Sequence, residues 1–191
     1  MADQIDSLKS TVLSAGAGPL ELRILRPEDV TAAYVDWMND RDVVRFTEQR
    51  HSRHDQAEIV SFVAQKLAAP ADYLFGMFLA GSHVGNIKLG PVDARNKVAS
   101  ISYIVGDRSV WGQGIATRAI AAVVRFAFDE IGLEKITAGS YAENTGSIRA
   151  LEKNGFRQEG RQRGQALLDG RRVDVVNFGL LRGEETGRAV P

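Results

Sequence analysis

The spacing of apolar residues changes period several times along the chain. Leu20, Leu22 and Ile24 alternate with Glu21 and Arg23, the pattern of a half-buried strand. Pro27, Glu28 and Asp29 follow, residue types favoured in a first helical turn, and they predict a helix running to about Asn39. Ile59, Phe62, Val63 and Leu67 fall on one side of a second amphipathic helix over residues 55–68, with Ser52 available as its cap. Residues 40–53, between these helices, are dense in charge and histidine. From Tyr73 onward the runs YLFGMFLA and HVGNIKLG, joined by Gly81 and Ser82, predict a tight hairpin. VASISYIV follows a polar turn and extends it to an antiparallel meander. Next comes GDRSVWGQGIAT, and then Ala116, Ile120, Val123, Val124, Ala127 and Ile131 keep helical spacing until Gly132. A strand over 135–141, a short helix over 147–154 ended by Gly155, and a long hairpin turning at Asp169 and Gly170 complete the pattern. The predicted order is β-α-α-β-β-β-α-β-α-β-β within a domain spanning 20–185. Residues 1–19 read as a flexible extension and 186–191 as a tail.

Composition narrows the possible functions. The chain has 191 residues, 24 Lys and Arg against 24 Asp and Glu, 44% hydrophobic residues and no cysteine. A domain of this length folds on its hydrophobic core without disulfides or a structural metal. With no cysteine there is no thiolate nucleophile and no Cys-based zinc site, and no metal is expected. Balanced charge gives no reason to expect nucleic acid or an anionic membrane as partner. Apolar stretches such as AIAAVV fall far short of the roughly 20 residues that cross a bilayer, and the start MADQIDSLKS is too polar for a signal peptide. These features predict a cytoplasmic protein, monomeric or homodimeric.

Two segments carry chemistry. Trp111, Gly112, Gln113, Gly114, Ile115 and Ala116 lie between a strand and an amphipathic helix. Small residues there admit close backbone approach, and the N–H groups at a helix start favour a phosphate. No Lys-Ser/Thr follows, as a P-loop requires, and the loop comes after the fourth predicted strand rather than the first, as a Rossmann unit requires. The second segment contains Asn144, Ser147 and LEKNGF. Asn144 suits either an amide-bearing ligand or plain helix capping, with Gly155 as the left-handed stop.

Together, WGQGIAT before a helix and N-T-G-S-I-R-A-L-E-K-N-G-F after the next strand resemble the GNAT superfamily of acetyl-CoA-dependent N-acetyltransferases. The resemblance covers about residues 20–181. WGQGIA, the GF-x-x-EG continuation and Asp174 look most like the branch of ribosomal-protein alanine N-acetyltransferases. It implies an α/β (α+β) fold with a mixed, mainly antiparallel seven-stranded sheet flanked by four helices. It also implies that acetyl-CoA is the co-substrate, its pyrophosphate held by backbone N–H groups of Gly112, Gln113, Gly114, Ile115, Ala116 and Thr117. The pantetheine arm would pair with the strand edge near Ile104 and Val105. Asn144 matches the position that contacts pantetheine, and Ser147 the one whose hydroxyl lies near the sulfur. Trp111 stands where the wider family has Gln or Arg. Leu151 occupies the place of a tyrosine general acid, and Ala166 aligns with a strand glutamate found in ribosomal relatives.

The implied chemistry needs a deprotonated amine, an oxyanion donor and stabilisation of a thiolate with pKa near ~8.5. A backbone N–H near Ile104 suits the oxyanion, and Ser147 the thiolate. For the amine, Glu48 is chosen by position, with His51 next and His54 in the same loop. Tyr103 and Tyr141 read as core aromatics with satisfied hydroxyls. Arg118, Arg149 and Lys153 are candidates to meet the coenzyme phosphates. The acceptor is a small-molecule amine, with an amino sugar as one example, or a protein N-terminus. The alternative is a non-catalytic acyl-CoA-binding regulatory module.

Overall fold

The protein is described here by a computed structural model covering residues 8–16 and 18–184. One sheet runs through it, with strands β1 (Val12–Ser14), β2 (Leu20–Ile24), β3 (Tyr73–Leu79), β4 (Ser82–Leu89), β5 (Val98–Val105), β6 (Lys135–Tyr141), β7 (Arg157–Leu168) and β8 (Arg171–Leu181). Their order in space is β1-β2-β3-β4-β5-β6-β8-β7. Every neighbouring pair is antiparallel except β5 with β6. The helices are α1 (Ala32–Asn39), α2 (Arg41–Val44), α3 (Gln56–Ala68), α4 (Ile115–Arg125) and α5 (Thr145–Glu152).

Among the described residues the sheet thus has eight strands and the fold five α-helices, each one more than the family resemblance implies. The extra strand lies inside the expected extension. Val12 pairs with Arg23 and Ser14 with Glu21, Ala15 is buried, and Lys9 Nζ donates to Leu67 C=O (2.6 Å) and Ala69 C=O (2.7 Å). The described part of that segment is therefore an edge of the sheet. Its first seven residues and the expected tail lie outside the described residues. The extra helix, α2, is a four-residue turn started by Asp40, whose side chain accepts from Asp42 N–H.

Local chemistry moves two helix starts. Pro27–Asp29 forms a separate 3-10 turn, and Thr31 caps α1 by accepting from Tyr34 N–H. Asp55, not Ser52, caps α3 through a reciprocal box with Glu58. Helix α4 continues into wider π turns over Phe126–Ile131 and stops at Gly132, whose φ is 80°.

The sheet is covered on both faces, as an amphipathic element requires. Ile115, Ala119, Ile120, Val123 and Val124 of α4 pack with Leu22, Phe75, Met77, Ile87, Ile101 and Ile136. A second cluster unites Val30, Tyr34, Ile59 and Val63, from the α1 and α3 region, with Leu74 and Phe78 of β3. Each fully buried Leu, Ile, Val or Phe contributes about 1.5–3 kcal/mol, so these two layers hold the central strands far more firmly than the three-residue β1 is held. No helix among the described residues is long and apolar enough to cross a membrane.

Candidate active site

The sheet opens at β5. Its first half pairs in parallel with β6, ending at Ile101 opposite Ala138, while its second half stays on β4 as far as Gly85 opposite Val105. Two hydrogen bonds fix the parity of the β4–β5 ladder: Gly90 N–H to Ser100 C=O (2.8 Å) and Gly106 N–H to Val84 C=O (2.9 Å). Even-numbered residues of β5 therefore turn their backbone groups toward β4, and Tyr103 and Val105 turn theirs toward the gap left by β6. This narrows the expected edge near Ile104 and Val105 to the amide of Val105. Ile104 lies opposite Asn86 and lines the groove without offering its amide to it. Val105 has the edge amide, and its C=O accepts from Trp111 Nε1 at 2.9 Å.

The gap is the floor of a groove of about 750 Å³. Ile104, Val105, Gly112, Gly114, Ile115, Ala116, Thr117, Asn144 and Ser147 all line it. Gln113 does not: its Nε2 donates to Ser109 C=O at 3.1 Å. Gly112 and Gly114 have φ of 76° and 74°, the left-handed region where a Cβ is strained. Gly114 is the N-cap of α4 and carries no capping side chain. The first intrahelical bond of α4 runs from Arg118 N–H to Gly114 C=O (3.0 Å), so the N–H groups of Ile115, Ala116 and Thr117 have no carbonyl within the helix. Three amides and the positive end of a helix dipole therefore meet at the groove, which suits a pyrophosphate. Arg149 and Lys153 of the facing helix region line the same groove, and Arg118 does not.

The wall opposite β5 is the start of α5. Asn144 Oδ1 accepts from Ser147 N–H at 3.2 Å, so its carbonyl caps the helix while the residue still lines the groove. Ser147 Oγ is 2.8 Å from Tyr103 Oη, which also lies 3.1 Å from Ser147 C=O. The phenol has one proton. When it donates to the carbonyl, the serine donates to the phenol; when it donates to Oγ, the serine proton turns toward the groove. Burial pushes the Tyr103 phenol up to about 12, so it keeps its proton at neutral pH. Leu151 is fully buried in the core, consistent with a tyrosine hydroxyl arriving from β5 instead.

The groove continues into a second cavity of about 540 Å³, and Phe46, Glu48, Gly139, Ser140 and Tyr141 line both. Glu48 Oε1 accepts from Tyr141 Oη, a contact between residues 93 positions apart. Arg50 lies 3.3 Å from Glu48 Oε1, with its guanidinium 5.1 Å above the Tyr141 ring. The Tyr141 hydrogen bond, aided by Arg50, holds the Glu48 carboxyl below the usual carboxylate range despite some burial. Burial and then Glu48 itself raise Tyr141. His51 lines the cavity with Nε2 3.9 Å from Glu48 Oε2. His54 is directed elsewhere, with its Nδ1 3.9 Å from Glu58. Ala166 lines the cavity and packs against Tyr141, Leu168 and Val173.

Sequence reasoning treated Tyr103 and Tyr141 as core residues and gave no role to Arg50 or Arg172, which also lines the second cavity. Both tyrosine hydroxyls are indeed satisfied, but by Ser147 and Glu48. No short motif contains these residues. The available signal was their polar tips on strands flanking the cleft.

An opened parallel pair beside a glycine-capped helix start agrees with one family. Residues 20–157 match the model of the acetyltransferase (GNAT) domain. The chain belongs to this family. It is 35% identical over 104 residues to a Bacillus licheniformis protein named uncharacterized N-acetyltransferase p20, a match covering 54% of this chain and 58% of that relative. Mycobacterium smegmatis RimJ, solved with a CoA disulfide, superposes with a TM-score of 0.80 at 25% identity, covering 94% of this chain and 91% of that one. RimL, named a ribosomal L7/L12 α-N-protein acetyltransferase and solved with coenzyme A, gives 0.81 at 19% identity, covering 90% and 98%. At that identity the likeness to RimL is one of fold. Among the described residues no group of His, Cys, Asp or Glu is arranged to hold a metal ion.

Proposed function

We propose that this GNAT protein transfers the acetyl group of acetyl-CoA to the primary amine of a small molecule, by direct attack within a ternary complex. The observation that carries this reading is one continuous cleft with two different ends. A serine–tyrosine hydroxyl pair stands beside the glycine-capped helix, and a carboxylate–tyrosine pair stands beyond the opening of the sheet. Backbone N–H groups of Ile115, Ala116 and Thr117 bind the pyrophosphate, with Gly112 and Gly114 admitting it. Val105 and Asn144 hold the pantetheine arm, and Ile104 shapes the wall behind it.

Magnitudes decide how Glu48 acts. An alkylammonium loses its proton near pH ~10.4, about six units above an ordinary Glu, so direct transfer to Glu48 is uphill by ~8 kcal/mol. The lowered carboxyl widens that gap. Glu48 therefore holds and orients the amine as an ionised acceptor, and the proton leaves through water to bulk. As the neutral amine attacks the thioester carbonyl, the developing oxyanion takes the edge amide of Val105 or Tyr103. Ser147 Oγ–H, with Tyr103 donating to its oxygen, stabilises the departing thiolate.

The roof of the second cavity supports a small acceptor. Arg50 Nη2 donates to Leu167 C=O (2.9 Å) and Arg45 pairs with Asp169 (3.2 Å), joining the 40–53 segment to the β7–β8 hairpin. A closed side of this kind suits a small acceptor better than a polypeptide laid across the cleft. The test is acetyl-CoA consumption over a panel of small amines and N-terminal peptides, with mass spectrometry of the products. A small amine gaining one acetyl group is the expected result. Acetylation of peptides alone would overturn the small-acceptor reading. Tight coenzyme binding with no amine acetylated would favour the acyl-CoA-binding module.

A further inference from the structure

The second cavity carries a cation that the proposed reaction leaves without a task. Glu48 and Arg50 face each other there, and His51 adjoins Glu48. Arg172 lines the same cavity and has no carboxylate within 4.0 Å among the described residues. Three arginines around it are matched: Arg171 with Glu143, Arg161 with Asp174, and Arg45 with Asp169. Arg172 is opposite Leu167 in the hairpin, and its Nη1 donates to Gly164 C=O at 3.0 Å. That single bond pins the guanidinium and occupies one of its five N–H donors, leaving a planar fork suited to a carboxylate or phosphate.

Charge balance gives the fork a partner. A simple ammonium acceptor would add positive charge to a cavity whose only lining carboxylate, among the described residues, is already in contact with Arg50 and Tyr141. An acceptor with a negative group at its far end adds no net positive charge as the ammonium and gives the Arg172 guanidinium a counter-charge. We infer that the acceptor is a primary amine bearing a carboxylate or phosphate, with the amine at Glu48 and the anion on the Arg172 guanidinium. This rests on the reaction proposed above. In it Arg172 is a specificity residue that never touches the reacting atoms.

The experiment uses each amine that the panel finds to be acetylated, beside a derivative with its anion removed: a carboxylate as the amide, a phosphate as the free hydroxyl. Wild-type protein should favour the anionic member by about 10- to 100-fold in kcat/KM, mainly through KM, the scale of a charge-assisted hydrogen bond. Arg172→Gln should bring that ratio toward one, losing much more on the anionic member than on the neutral one. Carboxylate and phosphate pairs measured separately tell which anion the site takes. A ratio near one in the wild type, or a ratio that survives Arg172→Gln, overturns the inference while leaving the transferase intact. If Arg172 merely pins the hairpin through Gly164, both members of each pair fall together. Acetyl-CoA left unconsumed with every amine defeats the reaction itself, and this inference with it.

Discussion

At its coenzyme end the cleft meets its ligand with main chain, and at its acceptor end with side chains. The amides of Ile115, Ala116 and Thr117 and the edge of β5 are set by a helix start and an opened strand pair. Glu48, Tyr141 and the Leu167–Arg172 hairpin come from three separate stretches that only the finished fold brings together. A ligand read by backbone is insensitive to most substitutions that keep the local conformation, so such a site can persist while acceptors change. The acceptor end has no such protection, because each single side chain there sets charge and shape.

The largest expected effect lies at the boundary between the two ends. If Ser147 stabilises the thiolate as the C–S bond breaks, Ser147→Ala should lower kcat by ~10- to 1000-fold while acetyl-CoA affinity falls much less. Equal losses in both would move Ser147 into ground-state binding. At the coenzyme end, Gly114→Val should weaken acetyl-CoA binding by about 100-fold, the scale of one or two charge-assisted hydrogen bonds, measured by calorimetry. Its φ of 74° also makes any side chain strained by about 1–2 kcal/mol. Gly132→Val, at φ 80° beyond the other end of the same helical run, carries the same backbone strain away from the groove. It should lose similar stability and keep coenzyme affinity. Equal affinity loss in both variants would break the argument.

At the acceptor end, Glu48→Gln should raise the acceptor KM and leave the acidic limb of the pH-rate profile in place. The carboxyl lies below its ordinary range, so it is fully ionised across neutral pH and loses its charge only as pH falls beneath that range. The limb near and above neutrality then belongs to the amine's own deprotonation. A limb that disappears with the substitution would make Glu48 the base.

The same contrast explains what could be read in the sequence. The β3–β4 hairpin, α4, the loop before it and the stop at Gly155 are encoded by consecutive residues, and the expected elements agree with those observed. β1 escaped because three residues among serines and glycines give too short an alternation, and its pairing with β2 depends on tertiary context. α2 escaped because four residues show no helical period. That the edge near Ile104 and Val105 was not narrowed to Val105 has a cause too. Periodicity tells which face a side chain takes, but only ladder register tells which edge a backbone amide serves. Glu48 and Tyr141 illustrate the remainder, since nothing local links two residues 93 positions apart.

The central claim is that both ends of the cleft are occupied at once. Initial rates measured over a grid of acetyl-CoA and acceptor concentrations test it most directly. With no cysteine in the chain to carry an acetyl group, double-reciprocal lines should intersect. Parallel lines, together with an acetylated protein trapped in the absence of acceptor, would contradict the account.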